Sequence, residues 1–177
     1  MIIRLANPRM FVRDAVHADI PLYAQMLRNE KWLLNSGFNK EAYENDEQIA
    51  HFIEKDHPDD IRWIFLHDDK GVVGFVHFKV ISDDCAITIG GILVEHFNSG
   101  LGVKYLIECV DLYFRLGNTR KLHSNVYQGN LRSCKMHIAS GYELVGLKYF
   151  GDLKYDIYET NKENFYKSPF VNKILNH

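Results

Sequence analysis

One stretch of the sequence, residues 87–105, joins a strand, a glycine-bearing loop and a helix start without any spacer between them. β-Branched residues recur up to Val94, which predicts a buried strand. Beyond Gly100 and Gly102, apolar and polar residues separate onto opposite sides of a predicted helix. The apolar side holds Val103, Leu106, Ile107, Val110 and Phe114, and the polar side holds Lys104, Glu108, Asp111 and Arg115.

The junction between this strand and this helix predicts an anion site. The first N–H groups of a helix lack intrahelical partners, and the helix dipole adds positive charge there. Glycine has no Cβ, so an oxygen-rich ligand such as a pyrophosphate can approach the backbone of Gly100 and Gly102 closely. The two familiar phosphate loops, GxxxxGK[ST] and GxGxxG, are absent from the sequence. A plain strand-to-helix turn is the alternative interpretation.

Size and composition indicate one globular domain spanning residues 1–177, with 46% hydrophobic residues to form its core. The net charge of −2 gives no basic surface, so nucleic acid is not implied. Each apolar run is too short for a membrane span, and the N-terminus does not resemble a signal peptide. Three cysteines without metal spacing predict a reduced, cytoplasmic protein that binds no metal. They are Cys85, Cys109 and Cys134.

The predicted elements run β-α-α-β-β-β-α-β-α-β-β, which is an α/β mixture. Strands are predicted at 10–16, 61–67, 72–81, 86–94, 121–127, 142–150 and 153–158. Helices are predicted from Asp19 to about Asn29, from Asn45 or Asp46 to about 56, from the glycine loop to Gly117, and over 130–140. The segment 30–44 is interpreted as a wall or lid, and the tail after Thr160 shows no pattern.

Two stretches carry a resemblance to a known family. Residues 97–102 read Phe-Asn-Ser-Gly-Leu-Gly, and residues 130–146 read Asn-Leu-Arg-Ser-Cys-Lys-Met-His-Ile-Ala-Ser-Gly-Tyr-Glu-Leu-Val-Gly. In order and spacing they resemble the Q/R-x-x-G-x-G/A and N-x-x-(S/A)-x-x-x-Y-x-x-x-G-(F/Y) motifs of GNAT-family N-acetyltransferases. The element order agrees over a core of about 10–159. The resemblance implies about seven mostly antiparallel strands, with one splayed parallel pair, and about four helices.

The resemblance also implies that acetyl-CoA is the cosubstrate and enters the gap between the strands ending near Val94 and Val126. Backbone groups of the first strand would pair with the pantetheine arm, and loop amides would hold the pyrophosphate. The implied cofactor-binding residues are Ile92, Leu93, Val94, Asn98, Ser99, Gly100, Leu101, Gly102, Val103, Asn130 and Ser133. Asn130 also suits the N-cap of the next helix, and Gly141 suits its end.

Two positions depart from the family pattern. Phe97 replaces the usual Gln or Arg, which matters little where backbone amides do the binding. His137 replaces the tyrosine that usually protonates the departing CoA thiolate. It is the candidate catalytic residue, although a passive hydrogen-bond donor and a packing role are equally open. Tyr142, Tyr127 or a water molecule are alternative acids.

The implied mechanism is direct attack of an amine on the thioester, with the oxyanion stabilised by a backbone N–H near Ile92 or Leu93. Cys109 and Cys134 are expected to pack in the core and not to act as nucleophiles. The strand before the loop carries no carboxylate to serve as a base. The nearby candidates, alongside a water relay, are His77, Asp83, Asp84, Glu95 and His123.

Within the family, residues 27–30, 122–126 and 142–146 look like the sugar-nucleotide N-acetyltransferases of pseudaminic acid-type pathways. The implied acceptor is the 4-amino group of a UDP-amino sugar. Trp32, Phe38 and Tyr43 would stack on the uracil or the sugar face of this acceptor. Arg28, Lys31 and Lys40 would bind its diphosphate. The candidate substrate-binding residues are Arg28, Asn29, Trp32 and Phe38, with Tyr43 as a further stacking ring.

Three alternatives are open. The segment 30–44 is alternatively interpreted as an ordinary hydrophobic flap. The two alternative functions are acetylation of a protein N-terminus, as in GNAT members of the ribosomal-protein type, and a sensor that binds acetyl-CoA without catalysis. An apolar strand near the C-terminus also suggests a homodimer.

Overall fold

The computed structural model describes residues 1–118 and 120–176, and within them the chain forms an eight-stranded mixed sheet with seven α-helices. The strands are β1 (Ile2–Arg4), β2 (Met10–Asp14), β3 (Ile61–His67), β4 (Gly71–Ser82), β5 (Cys85–Ile92), β6 (Lys121–Tyr127), β7 (Glu143–Phe150) and β8 (Leu153–Thr160). The helices are α1 (Ile20–Leu27), α2 (Glu30–Ser36), α3 (Asp46–Ile53), α4 (Leu101–Arg115), α5 (Leu131–Ala139), α6 (Lys162–Lys167) and α7 (Pro169–Leu175).

The strands lie in the order β1-β2-β3-β4-β5-β6-β8-β7, and β5 with β6 is the parallel pair. That pairing ends at Ile87 and His123. Each strand then continues along its outer neighbour, β5 on β4 as far as Ile92 and β6 on β8 as far as Tyr127. The two strands therefore diverge and leave a gap in the middle of the sheet, which confirms the predicted splay.

The predicted fold class is confirmed, with one strand and three helices more than expected. Hairpins form at 68–71 and at Gly151-Asp152, as predicted. Asn45 caps α3 by accepting a hydrogen bond from the Gln48 N–H at 2.9 Å. The segment 30–44 divides into α2 and a single helical turn over Lys40–Tyr43.

Two hydrophobic clusters cover the two faces of the sheet. Helices α1 to α3 pack on one face around Tyr23, Ile64 and Phe75. Helices α4, α6 and α7 pack on the other face around Tyr105 and Phe114. No helix in the described ranges combines the length and the apolar character that crossing a membrane requires.

The polar side of α4 is less exposed than its pattern indicates, because the ends of the chain fold over it. Glu108 is 2% exposed and accepts a hydrogen bond from the Asn7 N–H at 2.9 Å. Asp111 is 7% exposed and accepts one from the Tyr166 hydroxyl at 2.8 Å. Burial raises the pKa of the Glu108 carboxyl. Sequence periodicity could not reveal this cover, since it comes from distant segments.

The tail after Thr160, where the sequence showed no pattern, forms α6 and α7. Asn161 caps α6 at the Asn164 N–H, and Ser168 caps α7 at the Val171 N–H. Phe165 is fully buried, with its ring centroid 5.7 Å from that of Phe114 in α4. The tail is held by these tertiary contacts, because helices of six and seven residues are unstable alone.

We expect Tyr166→Phe to lower the free energy of unfolding by about 1–2 kcal/mol, because it removes one hydrogen bond from the buried Asp111 carboxylate. Urea denaturation measures the change. The matched control is Lys167→Gln, which breaks an exposed pair with Glu163 and should cost less than about 0.5 kcal/mol. Equal stability of Tyr166→Phe and the unsubstituted protein would contradict the anchoring role of this contact.

Candidate active site

A cleft of about 1350 Å³ opens where β5 and β6 diverge. The strands supply Thr88 to Ile92 on one side and Ser124 to Tyr127 on the other. The loop before α4 and one face of α5 extend the cleft on one side of the sheet, while α2 and the turn after it extend it on the other. The cleft therefore passes through the sheet and connects its two faces.

Backbone hydrogen bonds show which groups of β5 face the gap. The Leu93 N–H donates to the Val73 carbonyl at 2.8 Å, and the Leu93 carbonyl accepts from the His96 N–H at 2.9 Å. Backbone groups alternate along a strand, so those of Gly90 and Ile92 point away from β4 and into the gap. Leu93 is therefore not free to bind the pantetheine or an oxyanion, whereas Ile92 and Gly90 are.

The loop before α4 presents a cradle of free amides. Asn98 and Gly100 adopt left-handed conformations, with φ of 68° and 78°. The Ser99 N–H donates to the His96 carbonyl, and the Leu101 N–H donates to the Ser99 hydroxyl, both at 3.2 Å. The remaining amides have no acceptor within the described residues, and all belong to cleft-lining residues. They are those of Asn98, Gly100, Gly102 and Val103.

We expect Gly100→Ala to weaken CoA binding several-fold, because a non-glycine residue at this φ is strained by roughly 1–2 kcal/mol and tends to leave the conformation that aims the amides. Isothermal titration calorimetry measures the affinity. Gly71→Ala is the control: Gly71 has a φ of +65°, and at both positions an added Cβ meets no atom within 4 Å. Equal affinity of the two variants for CoA would show that loop geometry does not determine binding.

Helix α5 brings Asn130 and Ser133 to the cleft. The Asn130 side chain accepts a hydrogen bond from the Ser133 N–H at 3.1 Å, so it caps the helix as predicted. Gly141, with φ of 78°, follows the helix end and lies against the backbone of Asn164 in α6. The capping interaction holds the start of α5 beside the gap.

His137 lines the cleft but is 4% exposed, between the rings of Tyr142 and Tyr158. Burial lowers its pKa to about 4, so the ring is neutral at pH 7. Its Nδ1 lies 2.7 Å from the Ser133 carbonyl oxygen, which can only accept, so Nδ1 carries the proton. Nε2 then has no proton to donate. This geometry argues against the predicted acid role and favours the packing alternative.

Of the other candidate acids, Tyr127 lines the cleft. Tyr142 does not; it is 3% exposed, and its hydroxyl has no partner among the described residues. Burial raises the pKa of Tyr142.

The low pKa of His137 predicts a pH dependence of stability. Between pH about 6.5 and 4, the His137 side chain is protonated in the unfolded state and neutral in the folded state. The free energy of unfolding therefore falls as the pH drops through this window, by about 3 kcal/mol in total. Urea denaturation from pH 7 to pH 4 should therefore show a shallower decline in His137→Gln. The exposed His51 provides the control, His51→Gln, which should follow the unsubstituted protein. An unchanged slope in His137→Gln would refute the assignment.

The candidate acceptor side of the cleft is aromatic. Trp32, Phe38, Tyr43 and Phe75 line it. Trp32 is 3% exposed and packs against Gly91 of β5, where an added Cβ would lie 2.9 Å from the indole ring. The glycine thus lets the acceptor wall approach the strand that borders the gap.

Arg28 and Asn29, predicted to bind substrate, are not among the cleft-lining residues. The Arg28 guanidinium donates to the Tyr43 carbonyl and to the Asp46 carboxylate, each at 2.8 Å. The Asn29 side chain caps α2 by accepting from the Trp32 N–H at 3.2 Å. Both residues therefore stabilise the aromatic side of the cleft without lining it. Val94, Ser99 and Leu101 likewise support the loop without lining the cleft.

Sequence reasoning placed Lys40 at the acceptor but missed other residues of the cleft, among them Arg132 and Lys135. These three are the charged side chains of the cleft, and no carboxylate belongs to the described residues that line it. Phe170 of α7 also reaches it. A second cavity of about 280 Å³ adjoins it at Ala42, Tyr43 and Ile89, with Glu54 and Asp56 among its lining residues. Lys40 was predicted from its place in the aromatic segment, whereas nothing in the sequence indicated Phe170.

None of the five predicted bases lines the main cleft. His77 lines the second cavity, where it is 1% exposed with Nε2 2.7 Å from the Tyr23 hydroxyl, and burial lowers its pKa well below the usual value. His123 lies 2.8 Å from the Glu159 carboxylate. Asp83, Asp84 and Glu95 are exposed. This arrangement favours a water relay for removal of the amine proton.

Comparisons with known proteins agree with this geometry. A family model described as an acetyltransferase (GNAT) domain matches residues 9–143. A search of curated protein sequences finds no match.

Solved structures with the same fold include a spermidine N-acetyltransferase from Vibrio cholerae in complex with CoA and spermine, with a TM-score of 0.78 and 15% identity over 90% of this chain and 99% of that one. A ribosomal alpha-N-protein acetyltransferase in complex with coenzyme A has a TM-score of 0.75 and 15% identity over 91% and 98%. An aminoglycoside acetyltransferase in complex with coenzyme A has a TM-score of 0.71 and 15% identity over 90% and 98%.

The chain belongs to the GNAT acetyltransferase family. It is an N-acetyltransferase, and acetyl-CoA is its cosubstrate. Within residues 1–118 and 120–176, no group of three or more His, Cys, Asp or Glu side chains is placed to hold a metal ion.

Proposed function

We propose that this enzyme transfers the acetyl group of acetyl-CoA to the amine of a nucleotide-linked amino sugar, the 4-amino group of a UDP-amino sugar. The observation that carries the proposal is the charge of the cleft. Its lining contains three cationic side chains and, among the described residues, no carboxylate. An acceptor that is anionic apart from its amine suits this lining better than a polycation does.

The acceptor side supports the same chemistry. Phe38 and Tyr43, whose ring centroids lie 5.8 Å apart, provide apolar surfaces for a uracil or a sugar face. Lys40, exposed at the cleft, is available for a diphosphate. The likeness of residues 27–30, 122–126 and 142–146 to sugar-nucleotide N-acetyltransferases points to the same acceptor class.

The cofactor side uses the residues around the gap. The amides of Asn98, Gly100, Gly102 and Val103 hold the pyrophosphate, and Ile92 and Gly90 pair with the pantetheine as an added strand would. Asn130 and Ser133 lie beside that arm. This assignment keeps Asn98, Gly100, Gly102, Val103 and the two α5 residues among the predicted residues. It replaces Leu93 by Gly90 and leaves Val94, Ser99 and Leu101 in supporting positions.

The mechanism is direct transfer. A neutral amine would attack the thioester carbon, and the Ile92 or Gly90 N–H would stabilise the negative charge on the carbonyl oxygen. The C–S bond would then break to release the thiolate, while the extra proton on the amine nitrogen would pass to water. An alkyl thiol has a pKa of about 8.5, so the thiolate is an adequate leaving group without full protonation by an acid. The reaction therefore does not depend on His137 as a proton donor.

We also propose that the protein is cytoplasmic and forms a homodimer. The three cysteines are free thiols, which is consistent with a reducing cytoplasm. Strand β7 lies at the edge of the sheet and exposes Leu144, Leu147 and Tyr149, a surface that suits a homodimer. We place the whole chain in one catalytic domain.

Release of free CoA thiol tests the acceptor class. With acetyl-CoA, we expect turnover on a UDP-4-amino sugar and little on spermine or a basic peptide. Lys40→Gln should raise the KM for the sugar nucleotide roughly tenfold, since a charge-assisted hydrogen bond is lost. Lys55→Gln, at an exposed residue outside the cleft lining, is the control.

Preference for spermine or for the basic peptide would contradict the proposed acceptor. Binding of acetyl-CoA without turnover on any of these amines would also contradict it and would favour a sensor.

A further inference from the structure

Helix α2 lies across the gap between β5 and β6 on the candidate acceptor side of the sheet. Near its start, Trp32 packs against Gly91 of β5. At its end, Gly37 lies against Tyr127 of β6 and Tyr155 of β8. A Cβ added at Gly37 would lie 3.0 Å from Tyr127 Cγ and 2.5 Å from Tyr155 Oη. One short helix therefore rests on both sides of the gap.

A single side-chain hydrogen bond joins the end of α2 to the far side of the gap. Gly37 ends the helix with φ of 72°, and its N–H donates to the Leu33 carbonyl at 2.9 Å. Carbonyls at a helix end lack intrahelical partners, and here the Tyr155 hydroxyl donates to the Gly37 carbonyl. Within the part of the chain that the structure describes, no other hydrogen bond joins residues 30–44 to β6 or β8.

The donor of this bond is itself fixed by the sheet. Tyr155 is 8% exposed and lies opposite Tyr127 in the β6–β8 pair, with ring centroids 5.9 Å apart. The Phe150 ring of β7 packs edge-on against it at 5.2 Å. Burial raises the pKa of the Tyr155 hydroxyl, so the group stays protonated and donates at neutral pH.

The residues that follow Gly37 are those that face the acceptor. Phe38, Lys40 and Tyr43 line the cleft. The far end of this turn is also held by a hydrogen bond, because the Arg28 guanidinium donates to the Tyr43 carbonyl at 2.8 Å. Residues 38–43 therefore lie between two anchors, one on β8 and one on α1. The two anchors determine where the acceptor-facing side chains lie relative to the gap.

We propose that Tyr155 is a positioning residue for the acceptor. Its hydroxyl holds the end of α2 across the gap, and this places residues 38–43 against the thioester. Without the bond, the end of α2 separates from β8 for part of the time, and the fraction of protein ready to bind the acceptor falls. The inference rests on the proposed acceptor side of the cleft but not on the identity of the acceptor. Cofactor binding uses other elements: β5, the loop before α4, and α5.

Steady-state kinetics of Tyr155→Phe, which keeps the ring and removes the hydroxyl, tests this role. We expect the KM for a UDP-4-amino sugar to rise roughly fivefold, since one hydrogen bond is lost. The kcat should be retained, because saturating acceptor restores the bound arrangement. The Kd for acetyl-CoA, measured by calorimetry, should not change. The control is Tyr149→Phe at an exposed residue of β7, which should match the unsubstituted protein in all three quantities.

Hydrogen exchange followed by mass spectrometry tests the same contact without any ligand. The amides of Ser36 and Gly37 at the end of α2 should exchange roughly fivefold faster in Tyr155→Phe than in the unsubstituted protein. Tyr149→Phe should leave their exchange unchanged.

Gly37→Ala disturbs the contact from its other side, because the added Cβ meets the Tyr155 hydroxyl. Its KM for the acceptor should rise more than that of Gly71→Ala, which has a similar positive φ but no neighbour within 4 Å of an added Cβ. Combined with Tyr155→Phe, its effect on KM should be smaller than the product of the two single effects, since both substitutions act on one contact.

Two kinetic results would overturn the proposal. One is an unchanged KM for the acceptor in Tyr155→Phe. The other is an equal loss of acetyl-CoA affinity, because it would mean that the hydroxyl supports the fold as a whole.

A failure of the proposed acceptor is a separate result. It is seen in the unsubstituted protein, as absence of turnover on the UDP-4-amino sugar, and the variants are then compared on spermine or the basic peptide, whichever is acetylated. Hydrogen exchange needs no acceptor, so unchanged exchange at the end of α2 in Tyr155→Phe would overturn the positioning role in every case.

Discussion

The partial pairing of β5 with β6 is the constraint on which the rest of the structure depends. A parallel pair that stops at Ile87 and His123 leaves backbone N–H and C=O groups unpaired in the interior of a sheet, and buried backbone groups are costly without partners. The gap persists because each strand is fixed on its outer side, β5 by β4 and β6 by β8. A ligand with its own amide groups, such as pantetheine, satisfies the exposed edges.

The same gap connects two chemically different surfaces. On one face of the sheet, the amides before α4 and the cations of α5 suit a phosphate-rich cofactor. On the other, the aromatic residues of α2 and the following turn suit a ring-bearing acceptor. Trp32 against Gly91 joins the two sides, because the acceptor wall rests directly on the strand that borders the gap. Direct transfer needs both reactants within reach of one carbonyl carbon, and a cleft through the sheet provides this.

The sequence predicted what depends on local pattern. The strand, the glycine loop, α4 and the Asn130 cap each follow from residues close together in the chain. It could not determine what depends on distant segments. His137 was the candidate acid, with passive-donor and packing roles equally open, and the structure buries it between Tyr142 and Tyr158. Arg28 was a candidate substrate-binding residue, and in the structure its guanidinium donates to the Asp46 carboxylate and the Tyr43 carbonyl. The tail gave no pattern because its helices depend on contacts with α4.

The central claim is that CoA binds along the unpaired edge of β5 and in the amide cradle before α4. Backbone amide chemical shifts, recorded by NMR during a titration with CoA, test it most directly. The account predicts the largest changes at Asn98, Gly100, Gly102 and Val103, together with Gly90 and Ile92. Saturable CoA binding with changes confined to residues outside the β5–β6 gap and this loop would contradict it.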